Sequence, residues 1–159
     1  MRYILVDRIL EWEKGRRARA VKSVTLGEPF LRGLPEYPAA LILEAIVQTG
    51  GILCRLSADE ERMTVLGKIE RAEFPTRAFP GDRIEIEVEI TLARPEGNLC
   101  EGVAKVGDRV VGRARYLLPF LPPEMEPQPD AAWRERRARL QRALGLLPGA
   151  APGEGSEEG

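Results

Sequence analysis

From Arg83 to Pro95 the chain alternates apolar and polar positions: Ile84, Ile86, Val88, Ile90 and Leu92 against Glu85, Glu87, Glu89 and Thr91. That period of two predicts an antiparallel strand with one buried face and an acidic face toward solvent. The residues PEGN then turn into LCEGVAKV, and Gly107-Asp108 turns again into RVVGRARYLL. Two hairpins thus chain three strands into a meander. Earlier, Tyr3 to Glu13 reads as a strand, Lys14-Gly15 as a turn and RRARAVKSVTL, from Arg16, as a second strand paired to the first. RMTVLGKIERAEFP, from Arg62, reads as a further strand interrupted at Gly67, and FPGDR as a turn.

The pattern changes between Ala39 and Leu53, where nearly every residue is apolar. Pro38 suits the first turn of a helix, and no breaker follows until Gly50-Gly51, where either backbone approaches closely or the helix stops. A helix apolar almost all round is buried on most sides. Glu44 and Gln48, one turn apart, interrupt it. Before it, GEPFLRGLPEYP is a loop punctuated by Gly and Pro. Such a helix needs a curved surface to cover it, so the economical architecture is α+β, an antiparallel sheet wrapped around one long buried helix, the hotdog arrangement.

Beyond Pro119 the composition changes. Residues 121–129 form a proline-rich linker, and Asp130 can cap a helix over 130–147 whose Trp133, Leu140, Leu144 and Leu147 make a narrow apolar stripe. Five arginines against one glutamate line the rest of it. The helix is expected to dock its stripe on the sheet, or to serve as a handle for an acidic partner. Residues 148–159 hold too little apolar content to fold and are expected to be a disordered tail, leaving 1–120 as the main domain.

Composition narrows the function. A chain of 159 residues suits one core. Lys+Arg 24 against Asp+Glu 25 leave no global field for nucleic acid or a membrane surface. Cys54 and Cys100 have no metal-ligand spacing and read as buried thiols, and the chain contains no histidine, so no metal site or cofactor is expected. Arg17, Arg19, Arg113 and Arg115 are expected to solvate sheet faces. The N-terminal MRYILVDRILEWEK breaks its apolar run at Asp7 and Arg8 without a small-residue cleavage site, so a signal peptide is not expected. No stretch reaches membrane-span length by this reading, and the expected location is cytoplasmic.

Three segments, ILVDRILEWEKGRRARAVKSVTLGEPFLRG, YPAALILEAIVQTGGIL and VLGKIERAEFPTRAFPGDRIEIEVEI, carry a family resemblance. Taken in order they resemble the β-hydroxyacyl-(acyl carrier protein) dehydratases of fatty acid synthesis, from residue 3 to about 118. The shared patterns are P-x-x-L-x-x-E-A-x-x-Q in the helix and F-x-x-x-x-x-PGD before the long strand. The resemblance implies a hotdog fold, a homodimer or higher oligomer, and an acyl thioester on acyl carrier protein or CoA as ligand. Glu44 matches the family's helix carboxylate, with Gln48 supporting it. The N–H groups of Ala39 and Ala40 match the helix terminus that polarises the thioester carbonyl, and Gly33, Leu34 and Tyr37 fall in the substrate loop. The family's G-H-F-P-G histidine is missing: the loop here reads GLPEYP, shortened, with Leu34 where the histidine would stand. Three expectations follow. The protein is dehydratase-like with Glu44 as its remaining acid, or a thioesterase using Glu44 as base or nucleophile, or a non-catalytic subunit or acyl-binding module. A heteromer with a histidine-bearing relative would restore the base.

Overall fold

The long alternating segment is the middle of the sheet. The structure, a computed structural model, describes residues 4–59, 62–126, 128 and 130–146. Six strands, β1 (Arg8–Glu13), β2 (Arg17–Ser23), β3 (Lys68–Glu73), β4 (Arg83–Arg94), β5 (Gly97–Val106) and β6 (Arg109–Pro119), form one sheet in the order β1-β2-β4-β5-β6-β3. All five pairings are antiparallel. In β4, Ile84, Ile86 and Val88 are buried and the three glutamates exposed, as the alternation predicts. Leu92 departs from it at 45% exposure, because the register with β5 shifts between Ile90 and Leu92 and re-aims the side chains beyond.

Helix α1, Ala39–Ser57, packs across β2, β4, β5 and β6 and buries Ile42, Ile46, Val47, Leu53 and Cys54. Each fully buried isoleucine or leucine contributes about 1.5–3 kcal/mol as an upper estimate. The sheet supplies close approach where the helix crosses it. A Cβ on Gly102 would lie 2.3 Å from Ile46 Cγ2, and one on Gly112 would lie 2.8 Å from Ile42 Cγ2. Gly50 does the same from the helix side. A Cβ there would meet the Tyr116 hydroxyl at 2.3 Å, and that hydroxyl donates to the Ile46 carbonyl at 2.9 Å. Of the two roles open to Gly50-Gly51, close approach is the one observed, and the helix runs on to Ser57. At nineteen residues α1 is long and apolar enough by composition to cross a membrane, contrary to the sequence expectation, but here it is the core helix of the sheet.

Other boundaries moved for identifiable reasons. Strand pairing starts at Arg8, while Leu5 and Val6 precede it as buried extended chain, with Asp7 N–H donating to Val21 O at 2.9 Å. Of the strand expected from Arg62, only Lys68–Glu73 forms β3. Gly67 lies against the Pro119 ring, and Thr64 makes an isolated bridge to Phe120. On the outer face, Arg19 pairs with Glu11, Glu85 and Glu87, and Arg115 with Glu70 and Glu101.

Helix α2, Ala131–Ala143, is capped by Asp130, whose carboxylate accepts from Trp133 N–H at 2.6 Å. It does not lie on the outer face of the sheet. Leu144 is buried, its carbonyl accepts from Ile9 N–H of β1 at 2.9 Å, and Leu140 packs against the same core. The linker carries a 3-10 turn at Pro123–Met125. Leu147 and the expected disordered tail, 148–159, lie outside the described residues.

Candidate functional site

Helical spacing sets one face of α1 apart. Glu44, Gln48, Ile52 and Arg55 follow one another at intervals of three or four residues and line one cleft. From Glu44 to Arg55 that face runs about 16 Å at the helical rise. The cleft holds about 590 Å³, and its walls come from Ile4 and Leu5, Phe30, Met63 and Thr64, Leu140 of α2 and Leu144, which caps that helix. Phe30 reaches it from a 3-10 turn, Pro29–Leu31, seated by buried Leu31. A mostly buried Lys22–Glu28 ion pair at 2.7 Å ties that turn to β2.

One hydrogen-bond chain orders the polar end. The N–H of Leu5 donates to Gln48 Oε1 at 2.9 Å, and Gln48 Nε2 donates to Glu44 Oε1 at 3.0 Å. A backbone N–H can only donate, so the amide oxygen of Gln48 faces Leu5 and its NH2 group faces the carboxylate. One oxygen of Glu44 is therefore engaged as an acceptor. Among the described residues Glu44 is the single carboxylate in the lining, most of which is apolar.

The structure disposes of the expected residues unequally. Glu44 and Gln48 share the cleft, and although the helix is largely buried the side chain of Glu44 is exposed. The reason is local: the sheet covers the opposite face of α1, and this face looks into an open cleft. Tyr37 is in the core, 2% exposed, its N–H donating to Ala78 O at 2.8 Å. Burial pushes its phenol far above the usual range, with Glu28 and Asp7 adding to the effect. It does not line the cleft. Leu34 sits 48% exposed in a turn beside Gly33, whose φ is +75, and neither lines the cleft. Ala39 and Ala40 are exposed in the first turn of α1, which has no capping side chain. Cys54 and Cys100 are buried with their sulfurs 3.9 Å apart, and that contact, with burial, pushes the Cys100 thiol far up.

Sequence reasoning missed Phe30, Met63, Thr64, Leu140, Leu144, Ile52 and Arg55 as lining residues. Continuing the helical period past Gln48 reaches Ile52 and Arg55. The other walls come from distant segments and carry no local signal.

A six-stranded antiparallel sheet laid over one central helix, with the helix carboxylate facing a cleft, defines a hotdog-fold protein. The chain belongs to the FabA-like domain family, whose model matches residues 1–115. It is 39% identical over 123 residues to the 3-hydroxyacyl-(acyl-carrier-protein) dehydratase FabZ of Anaeromyxobacter sp. strain K, covering 72% of this chain and 79% of that protein. The namesake protein of Koribacter versatilis is 34% identical over 131 residues, covering 79% of this chain and 84% of the relative. Among solved structures, smu.793 of Streptococcus mutans, bound to acetyl CoA, superposes with a TM-score of 0.64 over 76% of this chain and 93% of its own. At 13% identity that likeness speaks for the fold alone.

Proposed function

We propose that this protein acts on 3-hydroxyacyl thioesters carried by acyl carrier protein or CoA, as a dehydratase-type enzyme of fatty acid metabolism, with Glu44 as its acid–base residue. The observation that carries this reading is the Gln48-held carboxylate of Glu44 in a mainly apolar cleft. The FabZ relatives, dehydratases by name, support the reaction class. Dehydration takes a proton from the α-carbon and supplies one to the departing β-hydroxyl, leaving an enoyl thioester and water. A single carboxylate that accepts the first proton and delivers it to the hydroxyl is restored at the end of the turnover. Gln48 holds one carboxylate oxygen and leaves the other for substrate. The uncapped start of α1, at Ala39 and Ala40, supports a role for its N–H groups in polarising the thioester carbonyl.

The sequence contains no histidine, and this favours a second reading: a subunit that binds the acyl thioester and borrows its base from a histidine-bearing relative. Both readings include self-association or association with a relative, for which the free edge of β3 is the suited surface. Both fit a cytoplasmic location. The test is to incubate the protein with crotonyl and 3-hydroxybutyryl thioesters while following hydration, dehydration and release of free thiol. Interconversion by the chain alone supports the first reading. Interconversion only after a histidine-bearing relative is added supports the second. Thiol release without interconversion identifies a thioesterase and contradicts both.

A further inference from the structure

The segment beyond the matched domain takes part in the cleft. The family match ends at residue 115, and α2 lies wholly after it. Yet Leu140 and Leu144, one turn apart, line the cleft together with Glu44 and Gln48. The helix that carries them is fastened along its length. Asp130 caps its first turn, and Trp133 lies beside Trp12 and Leu56 around a shared groove. Leu144 is 3% exposed, and its carbonyl takes the Ile9 N–H at 2.9 Å. Gly145 then ends the helix at a φ of +76, with Leu146 N–H donating back to Gln141 O at 2.8 Å. This wall is apolar and docked, and it stands on the same cleft as Glu44, the only carboxylate in the lining among the described residues.

The geometry points to α2 as the specificity wall of the cleft, with Leu140 and Leu144 setting how long an acyl chain the site accepts. The inference rests on the reading of the cleft as the acyl-thioester site. An acyl chain entering past Glu44 has Leu41, Ile52, Phe30, Leu140 and Leu144 for company. Each methylene that leaves water there gains about fourfold in affinity. The gain ends where the chain meets Leu140 and Leu144, so their bulk sets the chain length at which affinity stops rising.

The experiment uses the full chain and a graded series of S-alkyl pantetheine thioethers from butyl to dodecyl, which cannot be hydrolysed or dehydrated. Their binding is measured by titration calorimetry. Leu140 is half-buried and tolerates change better than Leu144. Leu140→Ala is expected to move the end of the affinity rise to longer chains, and Leu140→Trp to shorter ones, with the change concentrated in the longer members of the series. Leu144→Val, one methylene smaller, is expected to act in the direction of Leu140→Ala. A uniform loss at every length overturns the proposal and leaves α2 a purely structural element. An unchanged series in the Leu140 variants, with binding abolished by Ile52→Trp, overturns the wall and keeps the cleft. If Ile52→Trp also changes nothing, or the unaltered protein binds no member of the series, the cleft reading itself fails and the wall falls with it.

Discussion

Gly50 shows how one missing methyl group fixes the placement of a helix. Its α-hydrogen faces the Tyr116 ring, so Gly50→Ala is expected to destabilise the protein by about 1–3 kcal/mol through overpacking. The measurement is urea unfolding, and in the Tyr116→Phe background the cost should shrink, because the closest clash is with the hydroxyl. The tyrosines give a pH prediction. Burial raises the phenols of Tyr37 and Tyr116 above their unfolded value of about 10. Their contribution to stability is then fully present below about pH 10 and declines above it, as the unfolded chain ionises first. Two of the three tyrosines should therefore show no tyrosinate absorbance until the protein unfolds. Glu44 and Gln48 were legible as a pair because a polar interruption at helical spacing in an apolar helix needs a reason. A loop tyrosine between prolines reads the same whether it faces ligand or core; in the structure Tyr37 bridges Ala78, forty-one residues on, and its side chain is buried.

At the scale of elements, β4 and the meander were readable because their alternation is strict. The length of α1 was not, since a Gly-Gly pair that ends one helix serves close packing in another, and the difference lies in Tyr116 on a distant strand. Of the segment from Arg62, only Lys68–Glu73 forms the strand, although Val65 and Gly67 N–H groups still donate to the Pro119 and Leu117 carbonyls of β6, and Gly67 lies against the Pro119 ring. For α2, Asp130 announced the start correctly, and its stripe announced a docked face without saying where. Asp130→Ala should remove about 1 kcal/mol of helix stability. Amide hydrogen exchange should then rise in the first turn of α2 while α1 is unchanged. Acceleration throughout α1 would mean that α2 supports the whole core.

At the scale of the molecule, the sequence pattern leads to a wrapped sheet but not to the cleft. Four of its walls lie far apart in the chain and meet only when the sheet order β1-β2-β4-β5-β6-β3 is realised. That order leaves β3 at an edge with Val65, Leu66, Ile69 and Leu117 exposed nearby. A free edge leaves backbone N–H and C=O groups open to pairing with another copy, here beside exposed Ile69 among the charged Lys68, Glu70, Arg71 and Glu73. The protein is expected to sediment as a dimer or larger, and Ile69→Lys to shift it toward monomer at the same concentration; a monomeric parent would contradict this. The proposed proton transfer by Glu44 on an acyl thioester is tested most directly by kcat/KM for crotonyl-thioester hydration, measured for the parent and Glu44→Gln. The substitution keeps an acceptor for Gln48 Nε2 and removes only the proton-carrying group. A fall of roughly 10²–10⁴-fold with an unchanged melting temperature is the predicted result. A variant within a few-fold of the parent would contradict it.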